Sequence, residues 1–114
     1  MDMCMKYTDV LYQPALTLEL DTFVNSMTKK ARLTIPEVVR TALDFYQLHP
    51  DSPNYPVYNR YPYVLSNINV TKAQKDFVKS RHCKPAQTVR NALFAYKTHL
   101  DITGNLFHYV IPEK

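Results

Sequence analysis

The chain has 114 residues, of which 46% are hydrophobic and 12% aromatic, enough apolar mass for one packed domain and too much for a disordered tail. Fourteen basic against ten acidic residues leave a net charge of +4, which admits a polyanionic partner without requiring one. No apolar run approaches the roughly 18 residues of a membrane helix; "MDMCMKYTDV" at the start lacks a signal-peptide core, and Cys4 and Cys83 are too few for a disulfide framework, so reduced thiols in a cytoplasm are expected.

Residues 1–14 read as an N-terminal arm. A first unit follows over residues 15–50, in three pieces. "LTLEL" puts Leu16, Leu18 and Leu20 on one side and Thr17 and Glu19 on the other, the period of a half-buried strand. Phe23, Val24, Met27 and Ala31 then form the apolar stripe of a helix for which Asp21 is the expected N-cap. The third piece, "VRTALDFYQLHP", spaces Val39, Ala42, Leu43 and Tyr46 as one face of a second helix. Thr34 is its N-cap, Pro36 lies in its first turn, and Glu37 closes a capping box. Residues 51–63 form a linker; the run His49–Tyr63 carries four prolines and four tyrosines, so an extended and rather stiff connection is expected. Its tyrosines are expected to pack over a small core rather than stack on single-stranded bases.

Residues 64–100 repeat the first unit. Adding 50 to each number carries Val39, Arg40, Ala42, Leu43, Tyr46 and His49 onto Val89, Arg90, Ala92, Leu93, Tyr96 and His99. The same shift carried upstream sets Leu18 on Ile68, Leu20 on Val70 and Met27 on Phe77. A second strand is therefore expected over Ser66–Val70, with Asn67 and Asn69 turned outward and Thr71 capping the helix that follows. Lys84 stands where Thr34 caps in the first unit. A lysine brings no acceptor for free helix amides, so its position asks for another explanation. Residues 101–114 form a C-terminal tail in which "NLFHYVI" has strand propensity and is expected to pair with "DVLYQ".

The ordered pattern of alternating strand, helix and helix, duplicated in one chain, resembles the ribbon-helix-helix family of DNA-binding transcriptional regulators. "LTLELD" and "LTIPEVVRTAL" carry the resemblance best, and it covers residues 15–50 and 64–100. It implies a mainly α fold with a short two-stranded antiparallel ribbon, in which both β-α-α units join as a pseudo-dimer in one globular domain. It further implies a sequence-specific regulator of double-stranded DNA, in the cytoplasm or on the nucleoid, of the compact kind that viruses and plasmids encode. The ribbon would enter the major groove and read bases through Thr17, Glu19, Asn67 and Asn69. Thr34 and Lys84, at the starts of the second helices, would meet phosphates, and there a bound phosphate explains a lysine in place of a cap. Residues 64–100 hold seven Lys/Arg against Asp76 alone, whereas residues 15–50 are balanced, so Lys72 and Arg81 join the expected phosphate contacts.

The remaining signals are weaker. His82 beside Cys83 has no partner at metal-ligand spacing, and no catalytic grouping or phosphate loop is legible, so no metal, cofactor, small-molecule substrate or enzymatic activity is expected. Cys83 aligns with Leu33 and reads as a small buried hydrophobe. His49 and His99 suit the ends of their helices. Two other functions compete: an architectural protein coating DNA with little sequence preference, and an antitoxin-like interaction module. Leu106, Phe107, Tyr109 and Ile111 could join neighbouring copies along a duplex.

Overall fold

The computed structural model describes residues 6–103, and its framework is set by where side-chain caps and buried residues fall. Four helices dominate: α1 (Leu18–Lys30), α2 (Ile35–Leu48), α3 (Lys72–Ser80) and α4 (Pro85–Thr103). Four short strands accompany them: β1 (Asp9–Leu11), β2 (Ala15–Leu16), β3 (Tyr63–Val64) and β4 (Ile68–Val70). β1 pairs antiparallel with β4, and β2 with β3. The partners Asp9–Val70, Val10–Asn69 and Leu11–Ile68 continue without slip into Ala15–Val64 and Leu16–Tyr63. Between the two pairs, Leu65 N donates to the Pro14 carbonyl at 2.8 Å, and Gln13 sits at φ 38°.

The strand expected over Leu16–Leu20 is instead the end of a strand and the start of a helix. Thr17, not Asp21, is the N-cap of α1, its hydroxyl accepting from Leu20 N. Leu16, Leu20, Phe23, Val24 and Met27 are buried while Leu18 is 61% exposed, which is helical rather than alternating burial. The strand lies earlier, in the segment read as an arm, where Asp9–Leu11 pairs with β4; the expected pairing of "DVLYQ" with "NLFHYVI" lies outside the described residues. Residues 105–111, including the apolar side chains expected to join copies, lie outside the described residues.

The two halves are related by two shifts. Adding 50 superposes α2 on the start of α4, as expected. Upstream, the shift is 54: Tyr7, Val10, Leu11, Thr17, Phe23 and Val24 fall on Tyr61, Val64, Leu65, Thr71, Phe77 and Val78. The difference is one helical turn, because α1 has 13 residues and α3 has 9. Thr17 and Thr71 cap equivalent helices, the latter in a capping box with Gln74. The box of Thr34 and Glu37 also forms.

α2 and α4 build the centre of the core. Val38, Val39, Ala42, Leu43 and Tyr46 from α2 are buried with Val89, Ala92, Leu93, Tyr96 and Leu100 from α4. Full burial of each large apolar side chain is worth about 1.5–3 kcal/mol before entropy is counted. Leu11, Leu16, Ile68 and Val70 cover this core from the strand pairs. Between α2 and β3 no helix or strand forms; Tyr55 from this stretch is buried, with its ring edge-on to Phe94 at 5.1 Å. Cys83, expected to be buried like Leu33, is exposed, its sulfur 3.2 Å from the Thr88 hydroxyl. No described helix is long and apolar enough to cross a membrane.

Candidate nucleic-acid interface

The sequence-derived candidates separate into those on the strands and those committed elsewhere. Asn69 is exposed on β4 opposite Val10. Asn67 is exposed in the gap between the two strand pairs, and its side-chain Oδ1 accepts from Gln13 N at 3.1 Å. Thr17 and Glu19 are not on a strand face. The Tyr55 hydroxyl donates to Glu19 Oε1 at 2.9 Å and lies 2.7 Å from Thr17 Oγ1. Lys97 Nζ stands 3.7 Å from Glu19 Oε2. Both residues thus fasten the start of α1 to the linker and to α4. Burial, with Glu19 adding to it, pushes the Tyr55 phenol up to about 12.

The expected phosphate contacts are similarly divided. Thr34 Oγ1 accepts from Glu37 N at 3.2 Å while Glu37 Oε1 accepts from Thr34 N at 2.8 Å, so a carboxylate already occupies the start of α2. Lys84 precedes α4, is exposed, and among the described residues its ammonium group has no partner. Its carbonyl accepts from Gln87 N and Thr88 N. Lys72 is exposed and pairs with Asp76 at 3.0 Å, which raises its pKa above the ordinary lysine value. Arg81 is turned inward. Its guanidinium stands 5.0 Å from the Tyr46 ring centre and 5.7 Å from that of Phe77, and donates to the Tyr46 hydroxyl at 3.0 Å.

Two arginines hold the strands in place, and they obey the same pseudo-symmetry as the helices. Arg40 of α2 donates to the Asn69 carbonyl at 2.8 Å and lies 4.0 Å from the Tyr7 ring centre. Arg90 of α4 donates to the Ala15 carbonyl at 3.0 Å and lies 3.6 Å from the Tyr61 ring centre. Arg90 is buried, and that burial draws its pKa below the ordinary arginine value. Each second helix therefore grips the strand belonging to the other half. No protein-family model, curated protein or solved structure matches the chain.

Sequence reasoning missed the outward residues of the first strand. Val10 and Tyr12 are accessible there, Tyr12 strongly so at 74%, and Val64 on β3 is 59% exposed. Lys75 Nζ donates to the Val10 carbonyl and sits over the Tyr12 ring at 5.5 Å. The β-branched and aromatic run "YTDVLY" carried the signal, and so did its match to "YPYVL" at the longer shift. The surroundings of the two strand pairs differ in charge. The helix leaving β2 has Glu19 and Asp21 in its first turn, whereas the helix leaving β4 has no acid in its first turn and begins with Lys72.

Proposed function

We propose that the chain is a tandem ribbon-helix-helix protein: a sequence-specific, double-stranded DNA-binding transcriptional regulator that lays its paired strands in the major groove. The observation that carries the reading is the continuous antiparallel register of the two strand pairs, with β2 and β4 each running through a threonine cap into a first helix. A two-stranded ribbon has the width the major groove admits, and its outward side chains then face base edges. Asn67 and Asn69 are the polar readers; Lys84 is available to phosphates, and Lys72 becomes so by exchanging its exposed partner Asp76 for one. The acids beside β2 and the lysines beside β4 favour a deeper seat for the β1–β4 end, hence a site without palindromic symmetry.

Selection from a random duplex pool, followed by affinity measurement at several salt concentrations, tests this reading. A defined, asymmetric consensus whose preference is lost at particular base pairs in Asn69→Ala supports it. Tight binding to every duplex alike would favour a DNA-coating role, and no duplex binding at all would overturn the proposal.

A further inference from the structure

What the outward strand face lacks is as informative as what it carries. Leu11, Pro14, Leu16, Leu65, Ile68 and Val70 are buried, so the accessible side is made by the positions between and next to them. Those positions hold Val10, Tyr12, Gln13, Ala15, Val64, Ser66, Asn67 and Asn69, and none is charged. Guanine is read from the major groove mainly by arginine or lysine donating to O6 and N7. Among the described residues, no arginine or lysine occupies this face. Lys75, the lysine at its edge, is bonded to the Val10 carbonyl and lies over the Tyr12 ring. Asparagine, in contrast, matches adenine N6 and N7, and small apolar side chains match the thymine methyl group. Valine occurs at equivalent places in the two halves, Val10 facing Asn69 across the ribbon and Val64 facing Ala15.

We propose that this face selects A·T base pairs, Val10 and Val64 contacting thymine C5-methyl groups while Asn67 and Asn69 pair with adenine. The inference rests on the DNA-binding reading above and adds the base class that the site takes. At the β1–β4 end, a valine and an asparagine side by side suit the two partners of one A·T pair or of adjacent pairs. At the β2–β3 end, Val64 and Ala15 offer only apolar contact, so thymine methyls alone are recognised there. The Lys72 ammonium beside β4 supplies attraction to the duplex backbone without entering the base-reading face.

The test uses the intact protein and a duplex chosen from the random pool. Each thymine in turn is replaced by uracil, which deletes only the methyl group and leaves charge and base pairing unchanged. Affinity should fall about three- to fivefold at each contacted thymine, the worth of one apolar carbon taken out of water. In Val64→Ala and Val10→Ala, both at accessible positions, the uracil effect at the corresponding thymine should disappear, as a double-mutant cycle reports for a true contact. Guanine at the ribbon-facing positions, or undiminished site-specific binding when every thymine is uracil, would overturn the A·T inference while leaving DNA binding intact. Failure to bind any duplex would overturn both.

Discussion

Removing the hydroxyl of Tyr55 tests whether the linker is fastened as the structure has it. The side chain is 3% exposed, and its hydroxyl donates to Glu19 while lying 2.7 Å from Thr17 Oγ1. Tyr55→Phe deletes a hydrogen bond to a charged acceptor that remains 49% exposed and can turn to water. The expected cost is therefore about 1–2 kcal/mol rather than the full penalty of a buried orphan. Tyr55→Ala also empties the space against Phe94 and should cost about 3–5 kcal/mol. Urea unfolding at pH 7 reads both. The pH dependence supplies an independent check. The phenol titrates at about 12 in the folded chain against 10.0 ordinarily, so above pH 10 the unfolded chain releases a proton that the folded one keeps. Stability present below that value is thus lost as pH rises. By pH 11 the loss is on the order of 1 kcal/mol. Phenylalanine has no proton to release, so the wild-type advantage over Tyr55→Phe should shrink between pH 8 and pH 11. Equal stability of the two proteins at pH 7, or an advantage that stays constant from pH 8 to 11, would refute the fastening of α1 by this residue.

Four further substitutions have defined outcomes. Arg32 occupies the left-handed region at φ 58°, so Arg32→Gly should raise stability by about 0.5–1 kcal/mol in urea unfolding, and a loss would mean that no strain is held there. Lys84→Ala should lower the salt dependence of duplex binding by roughly one unit with stability unchanged, whereas Arg81→Ala should lower the melting temperature, because it removes packing on Tyr46 and Phe77. Glu19→Gln should leave base preference unaltered, since Glu19 belongs to α1 and is held by Tyr55 and Lys97; a change of preference at a single base pair would return it to the reading face.

The second helices, and the cap of α2, were legible because local chemistry decides them. The apolar spacing of Val39, Ala42, Leu43 and Tyr46 and the box of Thr34 with Glu37 have only one good reading. The first strand was not legible from "LTLEL", because three leucines at every second position satisfy a strand while Leu16 and Leu20 equally satisfy a helix. Thr17 decides between them by capping α1, and Leu18 is left in water. The shift of 50 that aligns the second helices hid the extra turn of α1 and thereby drew Thr17 and Glu19 onto the ribbon. Tyr7, Val10 and Leu11 against Tyr61, Val64 and Leu65 would have corrected it. Asn67 and Asn69 survived as candidates because Ile68 and Val70 fix the face of their strand. The roles of Arg81 and Tyr55 depend on contacts across 31 to 38 residues, which no local pattern announces.

The central claim, that the paired strands of a single chain occupy the major groove, is tested most directly by filling one groove at a time. On the selected site, replacing thymine by glucosylated 5-hydroxymethyluracil places a sugar in the major groove, and a bound netropsin fills the minor groove. The account predicts that the sugar abolishes site-specific binding and that netropsin leaves it in place. Binding that survives the sugar and is displaced by netropsin would contradict it.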